Sequence, residues 1–405
     1  MTPAEQAAQV AQAAKVGRAS HATKARIAYV LPYLTAYRVP FLEHLTRELS
    51  RRGVELTVAH GRATGISVAR GDELRMPGAV ELRQRRVEVR GRELVWHHGL
   101  GALARTHDAL VVPQTLHNLR VYPLLARRRV PVGLWGHGHT HVSAHTGAEH
   151  RAKAALTRWA DWFFAYTEAG GQYARRAGLP AERITVVQNT LDTVALTAAR
   201  DQVSAAEAQA LRARYGLTAG RTGLFIGAVD ELKRIPFLLA AAERIAGQLP
   251  GFRLLVAGTG EQRTLVESCP AAVYVGPVDA GAKARLGAVS DVLLMPGAVG
   301  LCAVDSFALR TPLVTTPWRY HGPEFGYLAH GRNALVVEDA AYADAVVQLL
   351  CRPRELARLR RACRCDAQRY TVEEMALRFA RGAEGLLALA GQRRRSAPRR
   401  PRPAA

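Results

Sequence analysis

The chain has 405 residues, and 48% of them are hydrophobic, so it is long enough for two or three domains with buried cores and is not intrinsically disordered. Lysine and arginine number 56 against 34 acidic residues, giving a formal net charge of +22. This excess favours an anionic membrane surface or an anionic substrate as partner; with no RNP signature, zinc-finger spacing or base-reading helix present, we expect no nucleic-acid partner.

Part of the positive charge lies at the two ends of the chain. Residues 391–405 contain six arginines and no acid, and residues 1–26 hold four cations against Glu5. A segment rich in proline and arginine is typical of a solvated tail, and contact with a membrane or another polyanion is the alternative. We predict an alanine-rich basic extension at 1–25 and a disordered tail at 391–405.

The cysteines are odd in number and fit neither a disulfide framework nor a zinc site, so we expect reduced thiols. No run of 18 apolar residues predicts a membrane-spanning helix, and the first residues lack the apolar core of a signal peptide. We therefore predict a cytoplasmic protein and leave open peripheral contact with the inner membrane face. The five cysteines are Cys269, Cys302, Cys351, Cys363 and Cys365.

Strands alternate with helices from the first clear strand onward. ARIAYVLPYL is typical of a strand, RVPFLEHLTRELSRRG of an amphipathic helix that ends at Gly53, and VELTVAHG of the next strand. Short continuous apolar runs are expected of parallel strands buried on both faces. Further runs of this kind are DALVVPQ, VPVGLWGHG, WFFAYT and ERITVVQNT, with a helix around RAKAALTRWA.

A second series of strands and helices follows a polar, helical connection at 193–220. Its strands end in glycine-bearing turns: TGLFIGAVDELKR, FRLLVAGTGE, AVYVGPV and DVLLMPGAVG. The two series predict an α/β protein with two Rossmann-like domains facing a cleft. We place these domains at 26–192 and 221–370, followed by a helix at 371–390 for which packing back on the N-terminal domain is one option.

Turns at the carboxyl ends of the strands are where open α/β sheets bind ligands. The turn from Gly227 to Arg234 places Lys233 and Arg234 just before a helix, where backbone N–H groups and side-chain charges can cradle phosphate; a solvated basic turn is the alternative. Gly258 lies in a G-x-G turn, a weaker signal because ordinary turn chemistry explains most such patterns.

The stretch MPGAVGLCAVDSFALRTPLVTT, residues 295–316, is typical of a strand end, a glycine-rich turn, a helix and another strand. Its turn would present backbone N–H groups from Gly297 to Leu301. Asp305, its only carboxylate, falls about one turn inside the helix, where the helix dipole favours an acid. Accepting hydrogen bonds from ribose hydroxyls is the functional alternative for Asp305.

Three histidines follow the strand VPVGL, at His137, His139 and His141. Histidines two residues apart share one face of an extended segment, so such a run can bind a metal ion. The run contains no acid or cysteine, so we expect no metal site and favour a polar histidine that lines the cleft.

These segments resemble the retaining GT-B glycosyltransferases of the family 4 type over residues 26–385. The family's glycine and lysine turn matches Gly227 and Lys233. No single motif is decisive, but the order and spacing of the segments are specific. The V-x-x-N-x-x-D and P-E-x-x-x-x-x-x-G-x-N-x-x-x-V passages match at Val186, Asn189, Asp192, Pro323, Glu324, Gly331, Asn333 and Val337.

The resemblance implies that a sugar passes from a nucleoside diphosphate sugar to a hydroxyl of a glycan, glycolipid or envelope polysaccharide, with retention at the anomeric carbon. It implies no cofactor or metal. Lys233 would act in catalysis by neutralising the diphosphate, together with Arg234, and His137 would contact the donor sugar. The acceptor would meet Tyr33, Tyr37 and Arg38. The other donor-binding candidates are Gly227, Gly258, Gly297, Val299, Gly300, Leu301 and Asp305.

Two positions depart from the family's pattern. Ala228 stands where an arginine follows the first glycine, and the E-x7-E motif maps onto Gly297 and Asp305, so the first carboxylate is absent. Backbone N–H groups from Gly297 to Leu301 would then contact the sugar or phosphate. A transferase is the leading hypothesis; a GT-B-shaped binding or scaffold protein without catalysis, and a polyanion-binding protein using the arginine-rich tail, are the alternatives.

Overall fold

The computed structural model describes residues 24–64, 73–89, 92–139 and 147–396. The chain divides into two compact units. The first comprises the described residues up to His139, residues 147–188 and those from Met375 on, and the second runs from Asn189 to Glu374. Each unit is an α/β structure on a parallel sheet. The predicted fold class, two Rossmann-like domains, is confirmed.

The first unit is built on seven parallel strands in the order β3-β2-β1-β6-β7-β8-β9, and β4 and β5 form a separate antiparallel hairpin. The strands are β1 (Ala25–Leu31), β2 (Val54–His60), β3 (Val80–Glu81), β4 (Gln84–Val89), β5 (Arg92–His97), β6 (Ala109–Pro113), β7 (Val132–Gly136), β8 (Trp162–Ala165) and β9 (Ile184–Val186). Its helices are α1 (Val39–Arg51), α2 (Leu100–Thr106), α3 (Val121–Arg127), α4 (Gly147–Trp159) and α5 (Glu168–Arg176).

The second unit is built on six parallel strands in the order β12-β11-β10-β13-β14-β15. The strands are β10 (Thr222–Ile226), β11 (Arg253–Ala257), β12 (Ala272–Gly276), β13 (Val292–Leu294), β14 (Leu313–Thr315) and β15 (Ala334–Val336). The helices are α6 (Thr193–Asp201), α7 (Ala205–Tyr215), α8 (Ile235–Gln248), α9 (Arg263–Glu267), α10 (Ala280–Val289), α11 (Cys302–Leu309), α12 (Tyr342–Leu350) and α13 (Pro353–Arg369).

Both sheets bury their central strands on both faces, as their continuous apolar sequences require. Every residue of β6 and of β10 is buried. The amphipathic helix α1 buries Phe41, Leu42, Leu45 and Leu49, which share one face. In each sheet the strand order reverses beside the first strand, between β1 and β6 and between β10 and β13, and such reversal points are where α/β sheets bind ligands.

The last helix, α14 (Val372–Ser396), contributes to the core of the first unit. Phe379 stacks on Phe164 with ring centroids 4.2 Å apart and contacts Tyr29 and Phe41 edge-on at 5.2 and 5.8 Å. These aromatic contacts hold α14 on the first unit, although its partners lie far away in the sequence.

Two features of the structure depart from the sequence predictions. Residues 391–396 belong to α14 and not to a disordered tail, and Arg393 of this segment forms an ion pair with the buried carboxylate of Asp161. Residues 1–23 and 397–405 lie outside the described residues. The hairpin of β4 and β5 was missed because its exposed strands carry arginines and acids in place of a continuous apolar run.

Candidate functional site

Two turns of the second unit meet at the reversal point of its sheet. One follows β10 and carries Lys233; the other follows β13 and runs from Met295 to Leu301. Because β10 and β13 pair side by side in parallel, both turns leave the sheet at the same edge. The structure therefore brings together the two turns that the sequence singled out.

Lys233 ends a short 3-10 turn, Glu231–Lys233. Asp230 caps this turn, because its side chain accepts a hydrogen bond from the backbone N–H of Lys233 at 3.1 Å. The lysine is half-buried and its Nζ donates to the carbonyl oxygen of Ala298 in the second turn. An ammonium group held at such a sheet edge is suited to bind an anionic ligand.

Gly297 packs directly on the backbone of the lysine turn. A Cβ atom added at this glycine would lie 2.4 Å from the carbonyl carbon of Lys233 and 2.5 Å from the carbonyl oxygen of Leu232. The backbone N–H of Ala298 donates to the same Leu232 oxygen at 2.9 Å. The carboxylate that the family pattern expects at position 297 thus has no space in this arrangement.

Val299 is fully engaged within the protein. Its side chain is buried, its N–H donates to Nδ1 of His321 at 3.0 Å, and its carbonyl accepts from the N–H of Gly322 at 2.6 Å. The expectation that the N–H groups from Gly297 to Leu301 all face a ligand is therefore wrong for Ala298 and Val299. Gly300 and Leu301, at the start of α11, keep their donor-binding prediction.

His321 is the residue of this site that the sequence reasoning missed. Its Nδ1 accepts from Val299, so the neutral ring carries its proton on Nε2, which donates to the carbonyl of Thr316 at 2.7 Å. The ring stacks on Phe325 at 4.0 Å. Burial, more than any other cause, lowers the pKa of His321 to about 4. The sequence signal was a histidine two residues before Pro323 of the P-E motif.

Asp305 is buried in α11, one turn from its start, as predicted. Its carboxylate forms an ion pair with Lys283 of α10 at 2.8 Å. The lysine compensates a charge that would be costly to bury alone. The predicted ribose contact would have to share the carboxylate with Lys283.

Arg234 is held by partners within the protein. Its guanidinium binds both oxygens of Asp339, at 2.5 and 2.8 Å, and lies over the rings of Phe237 and Trp318. Because Asp339 already compensates the charge of Arg234, Lys233 is the better candidate to neutralise a diphosphate. Hydrogen bonding to Arg234 in turn lowers the pKa of Asp339.

Gly227 and Gly258 allow two neighbouring turns to pack backbone on backbone. A Cβ on Gly258 would lie 1.8 Å from the carbonyl oxygen of Gly227, and Gly258 has a φ of 145°. This contact explains Gly258 by packing, whereas a Cβ on Gly227 would meet only ordinary van der Waals contacts. Their predicted contacts with a donor remain predictions.

In the first unit, the predicted acceptor residues lie near the start of α1. The guanidinium of Arg38 is buried between the rings of Trp135 and Tyr166, at 4.9 and 5.6 Å, and lies 5.0 Å from Tyr37. His137 contacts the ring of Tyr166 edge-on at 4.4 Å. The structure thus joins Arg38, Tyr37 and His137 through one aromatic cluster. Tyr33, which precedes Tyr37 and Arg38 in the chain, is half-buried.

No metal-binding group of three or more histidine, cysteine or acidic side chains occurs among the residues that the structure describes. His139 stacks on His150 at 4.9 Å, while His141 lies outside the described residues. The prediction that this run binds no metal ion stays a prediction.

The remaining motif residues brace the second unit. Asn189 donates from Nδ2 to the buried carboxylate of Glu324 at 2.5 Å, and Tyr327 donates to the Asn189 carbonyl. Asp192 caps α6, and Asn333 binds Asp366 at 2.7 Å. The polar residues of the two motifs therefore have hydrogen-bond partners within the second unit.

Solved structures of glycosyltransferases share this fold. Sucrose-phosphate synthase from Thermosynechococcus elongatus superposes with a TM-score of 0.66 at 17% identity, over 90% of this chain and 100% of that one. Anabaena HepE in complex with UDP-glucose superposes with a TM-score of 0.63 at 16% identity, over 89% and 99%. A glycosyltransferase from Rickettsia africae gives 0.65 at 10% identity, over 93% and 100%.

Two family models match the sequence itself. Residues 40–194 match the model described as Glycosyltransferase Family 4, and residues 220–352 match Glycosyl transferases group 1. Each model falls on one sheet of the structure. The chain is a glycosyltransferase of the GT-B type.

A comparison of this glycosyltransferase with curated protein sequences gave no match. Within the described residues, none of its helices combines the length and the apolar character needed to span a membrane. The model matched by residues 220–352 covers both turns at the reversal point of the second sheet. The candidate site of this glycosyltransferase therefore lies within the matched region.

Proposed function

We propose that this glycosyltransferase transfers a sugar from a nucleoside diphosphate sugar to an acceptor hydroxyl of a glycan, glycolipid or envelope polysaccharide, with retention at the anomeric carbon. The observation that carries the proposal is Lys233, held at the reversal point of the second sheet by Asp230 and Ala298. Anabaena HepE, which shares the fold, was solved with UDP and with UDP-glucose.

The chemistry requires stabilisation of charge at the leaving group. The bond between the anomeric carbon and the diphosphate oxygen breaks, the acceptor oxygen bonds to that carbon, and the acceptor proton ends on the released diphosphate. Lys233 would neutralise the charge that develops on the diphosphate, which is worth most in a partly buried site. His137 would contact the donor sugar, and Asp305 the ribose.

The role of Lys233 is tested with a Lys233→Ala variant and calorimetric titration with UDP and other nucleoside diphosphates. Loss of a charge-assisted contact should weaken binding about tenfold or more. Arg244→Ala, which removes an exposed cation from α8, is the matched control and should bind as the unaltered protein does. Unchanged affinity of Lys233→Ala would contradict the proposal.

The role of Asp305 is tested by comparing two ligands. Asp305→Asn should weaken the binding of a whole nucleoside diphosphate but leave that of pyrophosphate nearly unchanged, because only the nucleoside carries ribose hydroxyls. Equal losses for both ligands would show that Asp305 and its partner Lys283 act only by holding α10 and α11 together.

A binding or scaffold protein without catalysis is the second candidate. It is favoured by Ala228 and by Gly297, since the packing of Gly297 on Lys233 leaves no space for the expected carboxylate. Nucleotide release from a panel of donor sugars, with and without acceptors, separates the two. Binding of a nucleotide sugar with no turnover of any donor would favour this second candidate.

A further inference from the structure

A surface pocket of about 700 Å³ in the first unit is lined by four arginines. Arg128 follows the last residue of α3, and Arg176 is the last residue of α5. Arg151 and Arg158 are seven residues apart on α4, so they share one face of that helix. Ala154, Ala155 and Ala177 complete the lining with small side chains, together with Trp159.

The positive charge of this arginine pocket is not compensated within the described part of the chain. No carboxylate there forms an ion pair with any of the four arginines, and the lining contains no acid. Helix dipoles favour Arg128 and Arg176 at the carboxyl ends of their helices, but not Arg151, which lies in the first half of α4. Four arginines that line one pocket without an acidic partner are typical of a site for phosphate.

The backbone conformation of Arg128 is unusual for an arginine. It adopts a left-handed conformation, with φ of 45° and ψ of 30°, where glycine is the favoured residue. A non-glycine residue in this region costs about 1 kcal/mol. The chain thus places a guanidinium at a position where a glycine would close α3 with less strain.

Trp159 is one of the residues that line the arginine pocket, and the residue is 53% exposed. An indole ring combines a large apolar surface with one N–H donor, which makes tryptophan frequent at the boundary between lipid and water. Exposed tryptophan beside clustered arginines therefore matches a surface that carries both phosphate groups and acyl chains.

We propose that the arginine pocket, with Trp159 in its lining, docks this glycosyltransferase on an anionic membrane by binding the phosphate headgroups of acidic phospholipids. The proposal adds a partner to the transferase and is independent of the donor site. It assigns membrane contact to the folded first unit and not to the arginine-rich residues beyond 396.

The test is flotation of the full chain with vesicles of phosphatidylglycerol and phosphatidylcholine at moderate salt. Arg158→Gln/Arg176→Gln should lower the bound fraction about tenfold or more. Arg75→Gln/Arg105→Gln, which removes two exposed arginines of the same unit outside the pocket, is the charge-matched control and should bind normally. Trp159→Ala should weaken binding further at raised salt, where charge contributes less.

The Arg128→Gly variant separates loss of vesicle binding from loss of stability. It should lose vesicle binding while its unfolding midpoint stays equal or rises, because glycine suits the left-handed conformation. Calorimetry with UDP should give unchanged affinity in all pocket variants, which separates this proposal from that of the donor site.

Three results would overturn the proposal. Equal losses in the pocket variant and its charge-matched control would show attraction by net charge alone. Loss of binding only on deletion of residues 397–405 would assign the contact to the tail. Pocket-dependent binding of inorganic pyrophosphate or single-stranded RNA, with unchanged vesicle binding, would assign the pocket to a soluble anion.

Discussion

Gly297 illustrates how a single missing side chain can be required by packing. The family pattern places an acid there, but the backbone of Lys233 and the carbonyl oxygen of Leu232 occupy the space that a Cβ atom would need. The replacement of the acid and the position of the lysine turn are therefore parts of one arrangement. At this scale, Gly297 contributes to the candidate site by letting Lys233 approach.

Gly297→Ala should destabilise the protein by about 1–3 kcal/mol, the usual cost of overpacking. The matched control is Gly247→Ala in α8, where nothing lies within 4 Å of the added Cβ. Alanine should stabilise that helix by about 0.5–1 kcal/mol. Urea unfolding measures both variants, and similar changes in the two would contradict the contact at Gly297.

At the scale of the element, the turn after β13 is held by hydrogen bonds to other segments of the second unit. Leu232 and Lys233 hydrogen-bond to Ala298 of the turn, and Gly322 and His321 hydrogen-bond to Val299. The bond from Val299 requires an unprotonated Nδ1, so the turn is tied to the neutral form of His321. Protonation of the ring would break this tie, which links the geometry of the turn to pH.

The pKa of His321, about 4 in the folded protein against an ordinary 6.5, fixes the sign of this dependence. Between pH 6.5 and 4 the unfolded chain takes up a proton that the folded ring refuses, so stability present above pH 6.5 falls as the pH drops. The loss amounts to about 3 kcal/mol.

His321→Gln should flatten the fall in stability of the second unit between pH 6.5 and 4 and should weaken donor binding at neutral pH. Hydrogen exchange of β10 and β13 amides reports the stability of this unit. The unaltered protein supplies the reference pH slope. An unchanged slope in His321→Gln would contradict the role of the neutral ring.

On the scale of the whole molecule, the last helix completes the core of the first unit from the far end of the sequence. Phe379 of α14 contacts Tyr29, Phe41 and Phe164, which lie more than 200 residues earlier in the chain. The first unit therefore depends on residues that follow the entire second unit. Its stability belongs to the complete chain.

Phe379→Ala should destabilise the first unit by about 3–5 kcal/mol, because it removes a fully buried ring and leaves a cavity. Leu74→Ala, at an exposed leucine of the same unit, should change stability by no more than about 0.5 kcal/mol. Hydrogen exchange of β1 and β8 amides distinguishes the two variants. Equal protection in both would show that α14 does not support the sheet.

The alternation of strands and helices, the glycine turns at the strand ends and the selection of Lys233 could all be predicted from the amino-acid sequence alone. Each of these depends on residues close together in the chain: apolar runs, turn residues and charges before a helix. The hairpin of β4 and β5 was not predicted because its surface strands carry no such apolar run.

Which of the predicted site residues are available to a ligand depends on contacts that form only in the folded protein. Arg234 is bound by Asp339, Val299 by His321, and Asp305 by Lys283. The partners of Arg234 and Val299 lie 105 and 22 positions along the chain, and no local pattern in a sequence records such pairings. They arise because parallel strands bring distant turns to one edge of a sheet, where most buried polar groups take a partner.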